Sequence, residues 1–226
     1  ILQRWADLIE ADSERLTQME VRETGKPVAV FRDGELPFGA DNLRFFASAG
    51  RSLEGTGAGI LSEGFTSMLV RQPLGVIGSI APWNFPLIMA IWKFGPALAA
   101  GNTVVLKPAP QTPSTSMRLA ELGIEAGLPA GVFNVVSGGD ELGKALVSHP
   151  SIAMVSVTGA SETGRHIMRS AADTTKRVHL ELGGKAPVLV FADADLDAMA
   201  QAIAMGATYN TGQDCTAATR VYAHAS

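Results

Sequence analysis

Cysteine is almost absent from this chain of 226 residues, in which Cys215 is the single example. One thiol excludes an internal disulfide framework, so we predict a protein of the reducing cytoplasm. The thiol is either a small buried apolar group or, if its pKa is lowered, a nucleophile. No metal site is predicted, because the four histidines lack ligand spacing and are expected at the surface or at helix ends: His149, His166, His179 and His224.

The chain also has only a small excess of charge of one sign and no long uninterrupted apolar run. Lys and Arg number 18 against 22 Asp and Glu, a formal net charge of -4 without a basic cluster, so nucleic acid is not an expected partner. The longest apolar run, residues 86–100, contains Lys93 and Pro96, so we expect no membrane partner. The chain begins at Ile1 inside a helical pattern and has no targeting leader, which predicts a fragment.

What is present indicates a soluble α/β fold. Hydrophobic residues make up 46% of the chain, and 24 glycines fit buried strands joined by tight turns. Apolar spacing predicts helices over residues 1–24, ended by Gly25, and over residues 41–53. Residues 55–64 are expected to form turns that lead into an extended piece, residues 65–72, which pairs as a hairpin or projects to a partner.

From Gly75 onward, short apolar runs alternate with helical patterns. The predicted strands are residues 76–80, 103–107, 132–136, 153–158 and 177–181. The predicted helices between them are residues 86–99, 113–126 with Thr112 as its N-cap, 141–148 and 162–171. This alternation predicts a Rossmann-like parallel sheet with flanking helices and a ligand site at the carboxyl ends of the strands.

A second, incomplete α/β unit is predicted after Gly184. It consists of a strand over residues 187–191, a helix opened by Asp193 and Asp195, and a strand over residues 219–223. Both aspartates are expected to cap the helix rather than to bind a metal.

The loops after the strands carry an amide, an ammonium group, glycine-rich turns and a carboxylate. Taken singly, Asn84 is a turn residue, Lys107 and Glu181 are solvated charges, and residues 159–164 are a plain connection from strand to helix. Together at one sheet edge, these groups are the ones that a dinucleotide-binding site requires.

Four motifs resemble those of the aldehyde dehydrogenase superfamily, in the family's order and spacing over essentially the whole chain. They are PWNFP (82–86), GNTVVLKP (101–108), LELGGK (180–185) and GQDC (212–215). The segments 41–47 and 213–218 are more similar to the aminoaldehyde branch, typified by aminobutyraldehyde dehydrogenases.

The resemblance implies oxidation of a small-molecule aldehyde to the carboxylate through a thiohemiacetal and a thioester. Cys215 would be the nucleophile, Asn84 would hold the oxyanion together with the Cys215 backbone N–H, and Glu181 would be the general base. This division predicts a lowered pKa for Cys215 in electropositive surroundings and a dry setting for Glu181.

The resemblance also implies a set of residues that hold the cofactor, NAD or NADP. Lys107 would bind the adenosine ribose, the Gly159 turn would bind the pyrophosphate, and Trp83 and Gly183 would line the nicotinamide end. The set is Ile80, Ala81, Pro82, Trp83, Asn84, Lys107, Ala109, Pro110, Gly138, Gly143, Gly159, Ala160, Thr163, Glu181, Leu182 and Gly183. Two members depart from the family pattern: Pro110 stands where a ribose-binding Glu is frequent, which predicts tolerance of NADP, and Ala160 stands where a Ser is usual.

For the substrate, the resemblance places Glu35 and Asp41 near the entrance of the aldehyde tunnel. An acidic group there would attract the ammonium of an aminoaldehyde, and solvated surface acids are the alternative.

The resemblance further implies three parts of the chain. Residues 1–54 and 73–183 would be a dinucleotide-binding domain, residues 55–72 an oligomerisation hairpin, and residues 184–226 the truncated start of a catalytic domain. A homo-oligomer, dimer or tetramer, is expected for the complete enzyme, and the isolated chain is expected to be inactive. The alternative function is a noncatalytic dinucleotide-binding or structural module of the same ancestry.

Overall fold

The computed structural model describes residues 1–225, with the backbone alone for Thr56. The helices are α1 (Leu2–Ala11), α2 (Ser13–Thr24), α3 (Val28–Val30), α4 (Leu36–Ala49), α5 (Pro86–Ala99), α6 (Ser114–Glu125), α7 (Asp140–Ser148), α8 (Ser161–Ala172) and α9 (Leu196–Thr208). The strands are β1 (Thr56–Ser62), β2 (Phe65–Leu69), β3 (Val76–Ile80), β4 (Thr103–Lys107), β5 (Phe133–Val135), β6 (Ile152–Gly159), β7 (Arg177–Leu182), β8 (Ala186–Val190) and β9 (Ala218–Ala223). A π-helical turn, Phe31–Glu35, joins α3 to α4, and 3₁₀ turns cover Gly50–Ser52 and Tyr209–Gly212.

The central sheet has five parallel strands in the order β5-β4-β3-β6-β7. The chain fills one side of β3 with β4 and β5, and then crosses back to place β6 and β7 on the other side. The strand order therefore reverses between β3 and β6, where open α/β sheets bind ligands at the carboxyl ends of the strands. The predicted α/β fold with a parallel sheet is confirmed, and the bounds of its strands differ from the prediction by at most about one residue.

Helices cover both faces of this sheet. On one face, α1, α4, α5 and α6 enclose an apolar core in which Trp5 stacks on Phe94 with ring centroids 4.5 Å apart. On the other face, Val155 of β6 packs with Leu146 of α7 and Ile167 of α8. Full burial of one such side chain stabilises the fold by about 1.5–3 kcal/mol. These two cores hold the sheet in place and so position the loops at the carboxyl ends of its strands.

Two predicted helices have different bounds in the structure. The predicted helix over residues 1–24 is interrupted at Asp12, whose carboxylate accepts a hydrogen bond from Arg118 Nε at 2.6 Å. The predicted helix over residues 41–53 begins earlier, at Leu36, and ends at Ala49. Pro37 lies next to this start, just after the π-helical turn, and it has no N–H group to donate within the helix.

The turns predicted for residues 55–64 are wrong. Most of this segment is β1, which pairs antiparallel with β2 and so forms the hairpin that was one of the two alternatives for residues 65–72. Gly57 and Gly59 give the segment a low strand propensity, and cross-strand hydrogen bonds override it.

The predicted N-cap of α6 is also wrong. The Thr112 hydroxyl is buried without a hydrogen-bond partner, and the helix begins at Ser114. Glu23 of α2 replaces the cap, because its carboxylate accepts hydrogen bonds from the backbone N–H of Ser114, at 3.1 Å, and from the Ser114 hydroxyl. A tertiary contact thus satisfies the free N–H group that sequence reasoning assigned to a local side chain.

The second unit contains the parallel pair β8–β9 with α9 between the two strands in the sequence. Asp195 caps α9 as predicted, since its Oδ1 accepts hydrogen bonds from the backbone N–H groups of Asp197 and Ala198, each at 3.0 Å. Asp193 precedes the helix and is not its cap. The three-part division of the chain stays a prediction.

Within residues 1–225, no helix is long and apolar enough to cross a membrane. The same residues contain no cluster of three or more His, Cys, Asp or Glu side chains suited to a metal ion.

A buried ion network joins α2, the π-helical turn, α5 and α6. Lys26 Nζ lies 2.5 Å from Glu35 Oε2 and 3.4 Å from Glu20 Oε1, and all three side chains are buried. The Thr115 hydroxyl donates to Glu20 at 2.7 Å, and the backbone N–H of Leu87 donates to it at 3.4 Å. Burial raises the pKa of Glu20 and raises the pKa of Glu35 to about 7, while the Lys26 ammonium opposes both shifts.

Lys26→Met is expected to destabilise the protein strongly, because it leaves two buried carboxylates without a cation. Breaking a buried pair by removing one partner costs about 3–5 kcal/mol. Urea unfolding at pH 8, above the pKa of about 7 for Glu35, measures the loss. The control is Lys144→Met, which removes an exposed ion pair with Glu141 and should leave the unfolding midpoint unchanged. Equal midpoints for the two variants would contradict the prediction.

Candidate active site

Two clefts meet at the carboxyl edge of the sheet, and three side chains line both of them: Glu181, Asp214 and Cys215. The helix-side cleft, about 360 Å³, is bounded by residues of α4 and α5, among them Phe38 and Trp92. The strand-side cleft, about 350 Å³, is bounded by the loops after β3, β6 and β7. The half-buried Cys215 therefore lies where molecules in the two clefts would meet.

Asn84, in the loop after β3, is tied to the loop that carries the cysteine. Its Nδ2 donates to the carbonyl oxygen of Gln213 at 3.0 Å. In the other direction, Asn210 Nδ2 donates to the carbonyl oxygen of Asn84 at 2.9 Å. A carboxamide has two N–H donors, so Asn84 keeps one for a ligand.

An Asx turn bends the chain around Cys215. Asp214 Oδ1 accepts hydrogen bonds from the backbone N–H and the hydroxyl of Thr216, both at 2.8 Å. Aspartate commonly stabilises turns in this way. The turn keeps a carboxylate beside the thiol.

That carboxylate contradicts the electropositive surroundings predicted for Cys215. Burial raises the pKa of the Cys215 thiol, and the charges of Asp214 and Glu181 raise it further. Hydrogen bonds from the backbone N–H groups of Cys215 and Thr216 act in the opposite direction. The predicted low pKa is therefore wrong for the described residues, because two acids rather than a base flank the sulfur.

Glu181 lies near the end of β7, opposite Thr158 of β6. Its side chain is exposed, since β7 is the edge strand of the described sheet, and the dry setting predicted for it is not found among residues 1–225. Lys93 of α5 is the cation near it: burial lowers the pKa of Lys93 to about 8, and the Glu181 charge opposes that shift. No role was predicted for Lys93 from the sequence. Lysine is rarely buried without a charged partner, so its position in a largely apolar helix could have indicated an acid nearby.

Half of the residues predicted to bind the cofactor line the strand-side cleft: Pro82, Trp83, Asn84, Gly159, Ala160, Glu181, Leu182 and Gly183. A Cβ added at Gly159 or Gly183 would meet nothing within 4 Å, so a ligand has open space there. Helix α8 begins at Ser161, and its free N–H groups lie next to this cleft.

Lys107, Gly143 and Ile80 form a second group outside that cleft. A Cβ at Gly143 would lie 3.7 Å from Cδ and Cε of Lys107 and 3.9 Å from Cδ1 of Ile80, so the backbone of this glycine lies close to the lysine side chain. Lys107 Nζ donates to the carbonyl oxygen of Pro108 at 3.4 Å. Burial lowers the pKa of Lys107, and the charge of Asp140 opposes the shift.

The other predicted cofactor residues line neither cleft: Ala81, Ala109, Pro110, Gly138 and Thr163. Ala81 extends the β3–β4 pairing, since its N–H donates to the carbonyl oxygen of Lys107 at 3.0 Å. Gly138 has a packing role, because a Cβ there would come within 2.8 Å of Leu142 Cδ2. Their contact with a cofactor stays a prediction.

The helix-side cleft combines aromatic walls with one buried acid. Glu35 lines it, and Glu35 Oε1 is buried without a hydrogen-bond partner. Phe38 and Trp92 contact each other edge to face with centroids 6.3 Å apart. Trp92 is held by Asn42, whose Oδ1 accepts from Nε1 at 3.1 Å. Asp41, predicted at the tunnel entrance, is exposed on α4 and does not line this cleft.

Sequence reasoning missed Phe38, Trp92 and Tyr209 as walls of this cleft. One signal existed for Phe38, which follows Glu35 by three positions and so shares its side of a helical turn. Tyr209 follows the last residue of α9, and the sequence offers no signal for its position across from the π-helical turn. Burial raises the pKa of Tyr209, and the charges of Glu35 and Asp214 add to the shift.

Comparison with known proteins identifies the family. The sequence profile of the aldehyde dehydrogenase family matches residues 1–226. The chain is 47% identical over 232 residues to phenylacetaldehyde dehydrogenase of Pseudomonas fluorescens, which aligns with 100% of this chain and 46% of that protein. It is 47% identical over 227 residues to aminoacetaldehyde dehydrogenase of Pseudomonas aeruginosa, with 99% and 46% covered. The chain thus spans about half the length of the curated relatives that it matches.

Comparison of the fold with solved structures agrees with the sequence comparison. The crystal structure of PnpE in complex with nicotinamide adenine dinucleotide matches this structure with a TM-score of 0.96 and 41% identity, over 99% of this chain and 46% of that chain. The resemblance predicted from the four motifs is confirmed, and the chain belongs to the aldehyde dehydrogenase family.

Proposed function

We propose that the protein oxidises an aldehyde to a carboxylate with NAD or NADP as the hydride acceptor. The observation that carries the proposal is the position of Cys215 where the two clefts meet, with Glu181 lining both and Asn84 lining one. A thiol in that position can contact a substrate in the helix-side cleft while a dinucleotide occupies the strand-side cleft. The two relatives named as aldehyde dehydrogenases support this class of reaction.

In the first half of the reaction, the Cys215 thiol loses its proton to water and reacts as a thiolate. Its sulfur adds to the carbonyl carbon, a C–S bond forms, and the carbonyl π electrons move to oxygen. The free N–H of Asn84 Nδ2 and the backbone N–H of Cys215 donate to this oxyanion, and losing one such donor typically lowers kcat by about 10²–10³. The oxyanion then restores the carbonyl as hydride leaves the same carbon, which yields a thioester on Cys215. NAD or NADP, when bound, supplies the acceptor for that hydride.

In the second half, Glu181 acts as the general base. It takes a proton from water, the resulting hydroxide adds to the thioester carbon, and the C–S bond breaks to release the Cys215 thiolate and the carboxylic acid, which then loses its proton to water. Lys93 is the buried cation near Glu181, and the Glu181 charge opposes the lowering of the Lys93 pKa by burial. The Glu181 charge also raises the pKa of Cys215, which is the electrostatic sign that base and nucleophile are close.

The surroundings fit a dinucleotide cofactor. Gly159 and Gly183 leave the backbone open to a ligand, and the first turn of α8 supplies free N–H groups for a pyrophosphate. Lys107, at the carboxyl end of β4, would donate from its ammonium to the hydroxyls of the adenosine ribose. Pro110 adds no carboxylate near that ribose, which supports tolerance of a 2'-phosphate.

Within this reaction, we propose an aminoaldehyde as substrate. Glu35 lines the helix-side cleft and has a buried carboxylate oxygen without a hydrogen-bond partner, and Phe38 and Trp92 in the same cleft supply ring faces suited to an ammonium group. Lys26 binds the other oxygen of Glu35, so the acid acts as a hydrogen-bond acceptor more than as a free charge. Phenylacetaldehyde, after which one relative is named, would fit the aromatic walls equally well. Glu35 is the feature that favours an aminoaldehyde.

The hairpin supports the predicted homo-oligomer, a dimer or tetramer. Both of its strands expose large apolar side chains, Ile60, Leu61, Phe65 and Met68. Apolar side chains on an unpaired two-stranded sheet are typical of a surface that another chain covers.

The alternative function is a noncatalytic dinucleotide-binding module. The joint presence of Cys215, Asn84 and Glu181 at one sheet edge favours the enzyme, because cofactor binding alone needs neither a thiol nor a base beside it.

Cys215→Ala is expected to abolish aldehyde-dependent formation of NADH, while Glu181→Gln is expected to give one rapid turnover per site and then almost none. The first variant lacks the nucleophile, and the second forms the thioester without a base to open it. Stopped-flow absorbance of NADH, in the protein as its gene encodes it, measures both the burst and the steady state.

Glu14→Gln is the matched control for Glu181, because it removes an exposed carboxylate on α2 that lines neither cleft. It should leave both phases unchanged. Cofactor binding by the unaltered protein without any aldehyde-dependent NADH would favour the noncatalytic module.

Glu35→Gln is expected to lower kcat/KM for aminoacetaldehyde and to leave that for phenylacetaldehyde nearly unchanged. Gln keeps an acceptor for Lys26 but turns an N–H towards the ammonium, and a hydrogen bond to a charged group contributes about 1.5–3 kcal/mol, or roughly 10- to 100-fold. The ratio of the two kcat/KM values at pH 7.5 is the measurement. Asp41→Asn is the control, since Asp41 lies outside the cleft, and an unchanged ratio in Glu35→Gln would contradict the aminoaldehyde proposal.

Pro110→Glu is expected to lower kcat/KM with NADP by about 10-fold or more and to affect NAD far less, because like charges repel at close range. Initial rates with each cofactor measure the preference. Gln111→Glu adds the same charge one position further along the exposed loop and serves as the control. If the unaltered protein already rejects NADP, the argument from Pro110 fails.

A further inference from the structure

The loop before the nucleophile contains three successive residues with left-handed backbone conformation. Asn210 has φ 52°, Thr211 has φ 57° and Gly212 has φ 78°. Only glycine adopts this region freely, and asparagine tolerates it better than threonine. A turn of this kind persists when surrounding contacts hold it, and such strain concentrates at functional sites.

Asn210 makes the contacts that hold the turn. Its side chain is buried, and its Nδ2 donates both to the carbonyl oxygen of Asn84 at 2.9 Å and to the carbonyl oxygen of Gln213 at 3.0 Å. The Gln213 oxygen also accepts from Asn84 Nδ2 at 3.0 Å. Two amide side chains therefore converge on one carbonyl oxygen, which lies two residues before Cys215.

The orientation of the Asn210 amide has a physical basis. Nδ2 contacts two acceptors, whereas Oδ1 is buried without a partner. A flipped amide would place Oδ1 against two carbonyl oxygens at 2.9–3.0 Å, which is repulsive. A buried acceptor left unpaired is unfavourable, so the two donated hydrogen bonds must outweigh it.

We propose that Asn210 is a positioning residue that aligns the oxyanion-binding amide of Asn84 with the Cys215 thiol. The proposal rests on the proposed aldehyde oxidation. Asn210 does not reach the reacting atoms itself. It holds the main chain of Asn84 and shares the Gln213 carbonyl with the Asn84 side chain, which leaves the second N–H of Asn84 pointed for the substrate oxygen.

A double-mutant cycle tests this role. Asn210→Gly keeps the left-handed backbone and removes the amide, and Asn210→Asp keeps the shape but replaces the donor with an acceptor. Each is expected to lower kcat by about 10- to 100-fold, the typical effect of a small misplacement of a catalytic group. The KM for aldehyde and the Kd for NADH should stay within about twofold. In an Asn84→Ala background, Asn210→Gly should change kcat by less than about twofold, because the amide it positions is already gone.

Thr175→Gly is the matched control. Thr175 is an exposed residue with φ 51° between α8 and β7, so the change relaxes a left-handed residue away from the active site and should leave kcat unchanged.

Three results would overturn the proposal: a normal kcat in both Asn210 variants, an effect that multiplies in full with that of Asn84→Ala, or unfolding of both variants by circular dichroism. The last result would make Asn210 a requirement of the fold rather than of the alignment. The Cys215→Ala assay judges the reaction separately, so failure of the proposed function and failure of the Asn210 role give different results.

Discussion

The hydrogen bonds received by the Gln213 carbonyl oxygen are the contact on which the site depends. They join a loop after β3 to a loop 129 residues later in the chain, and the shared wall of the two clefts lies at that junction. The parallel sheet brings the ends of β3 and β7, with Asn84 and Glu181, to the same edge, and the contact with Gln213 fixes the loop after α9, and so the cysteine, relative to Asn84. Without it, the sheet would bring the parts near one another but would not set the distance between donor and nucleophile.

The charges around Cys215 differ from those expected around an activated thiol. Burial and the charges of Asp214 and Glu181 raise the pKa of Cys215, so the described residues favour the thiol over the thiolate. The thiolate is the reactive form of cysteine, so these surroundings make the sulfur less reactive. Both acids also line the strand-side cleft, where their negative charge would favour a positively charged ligand.

Much of the fold could be predicted from the sequence, and the exceptions share a cause. Alternating apolar runs predicted the parallel strands to within about a residue because buried strands and their crossover helices carry local signals. The failures arose where a distant partner outweighs the local sequence. At Thr112, the predicted cap is replaced by Glu23, and at β1, pairing with β2 makes a strand of a glycine-rich segment. Lys93 was overlooked because Glu181, which lies near it, is far away in the sequence. The motifs of the family predicted candidate catalytic residues, whereas Asn210 and the walls of the helix-side cleft follow only from tertiary contacts.

The amino-terminal helices are part of the site through the same loop. Gln213 Nε2 donates to the carbonyl oxygen of Thr24 at 3.2 Å, and Thr24 closes α2 two residues before Lys26. Lys26 binds Glu35 in the wall of the helix-side cleft and Glu20 in the core. One connected set of polar contacts therefore runs from the loop of Cys215 to Glu35 in the wall of the helix-side cleft and on into the hydrophobic core. Because removing one member of a buried ion network destabilises the fold, a substitution at Glu35 must preserve the pairing of Lys26. The same buried cation therefore links the wall of this cleft to the stability of the amino-terminal helices.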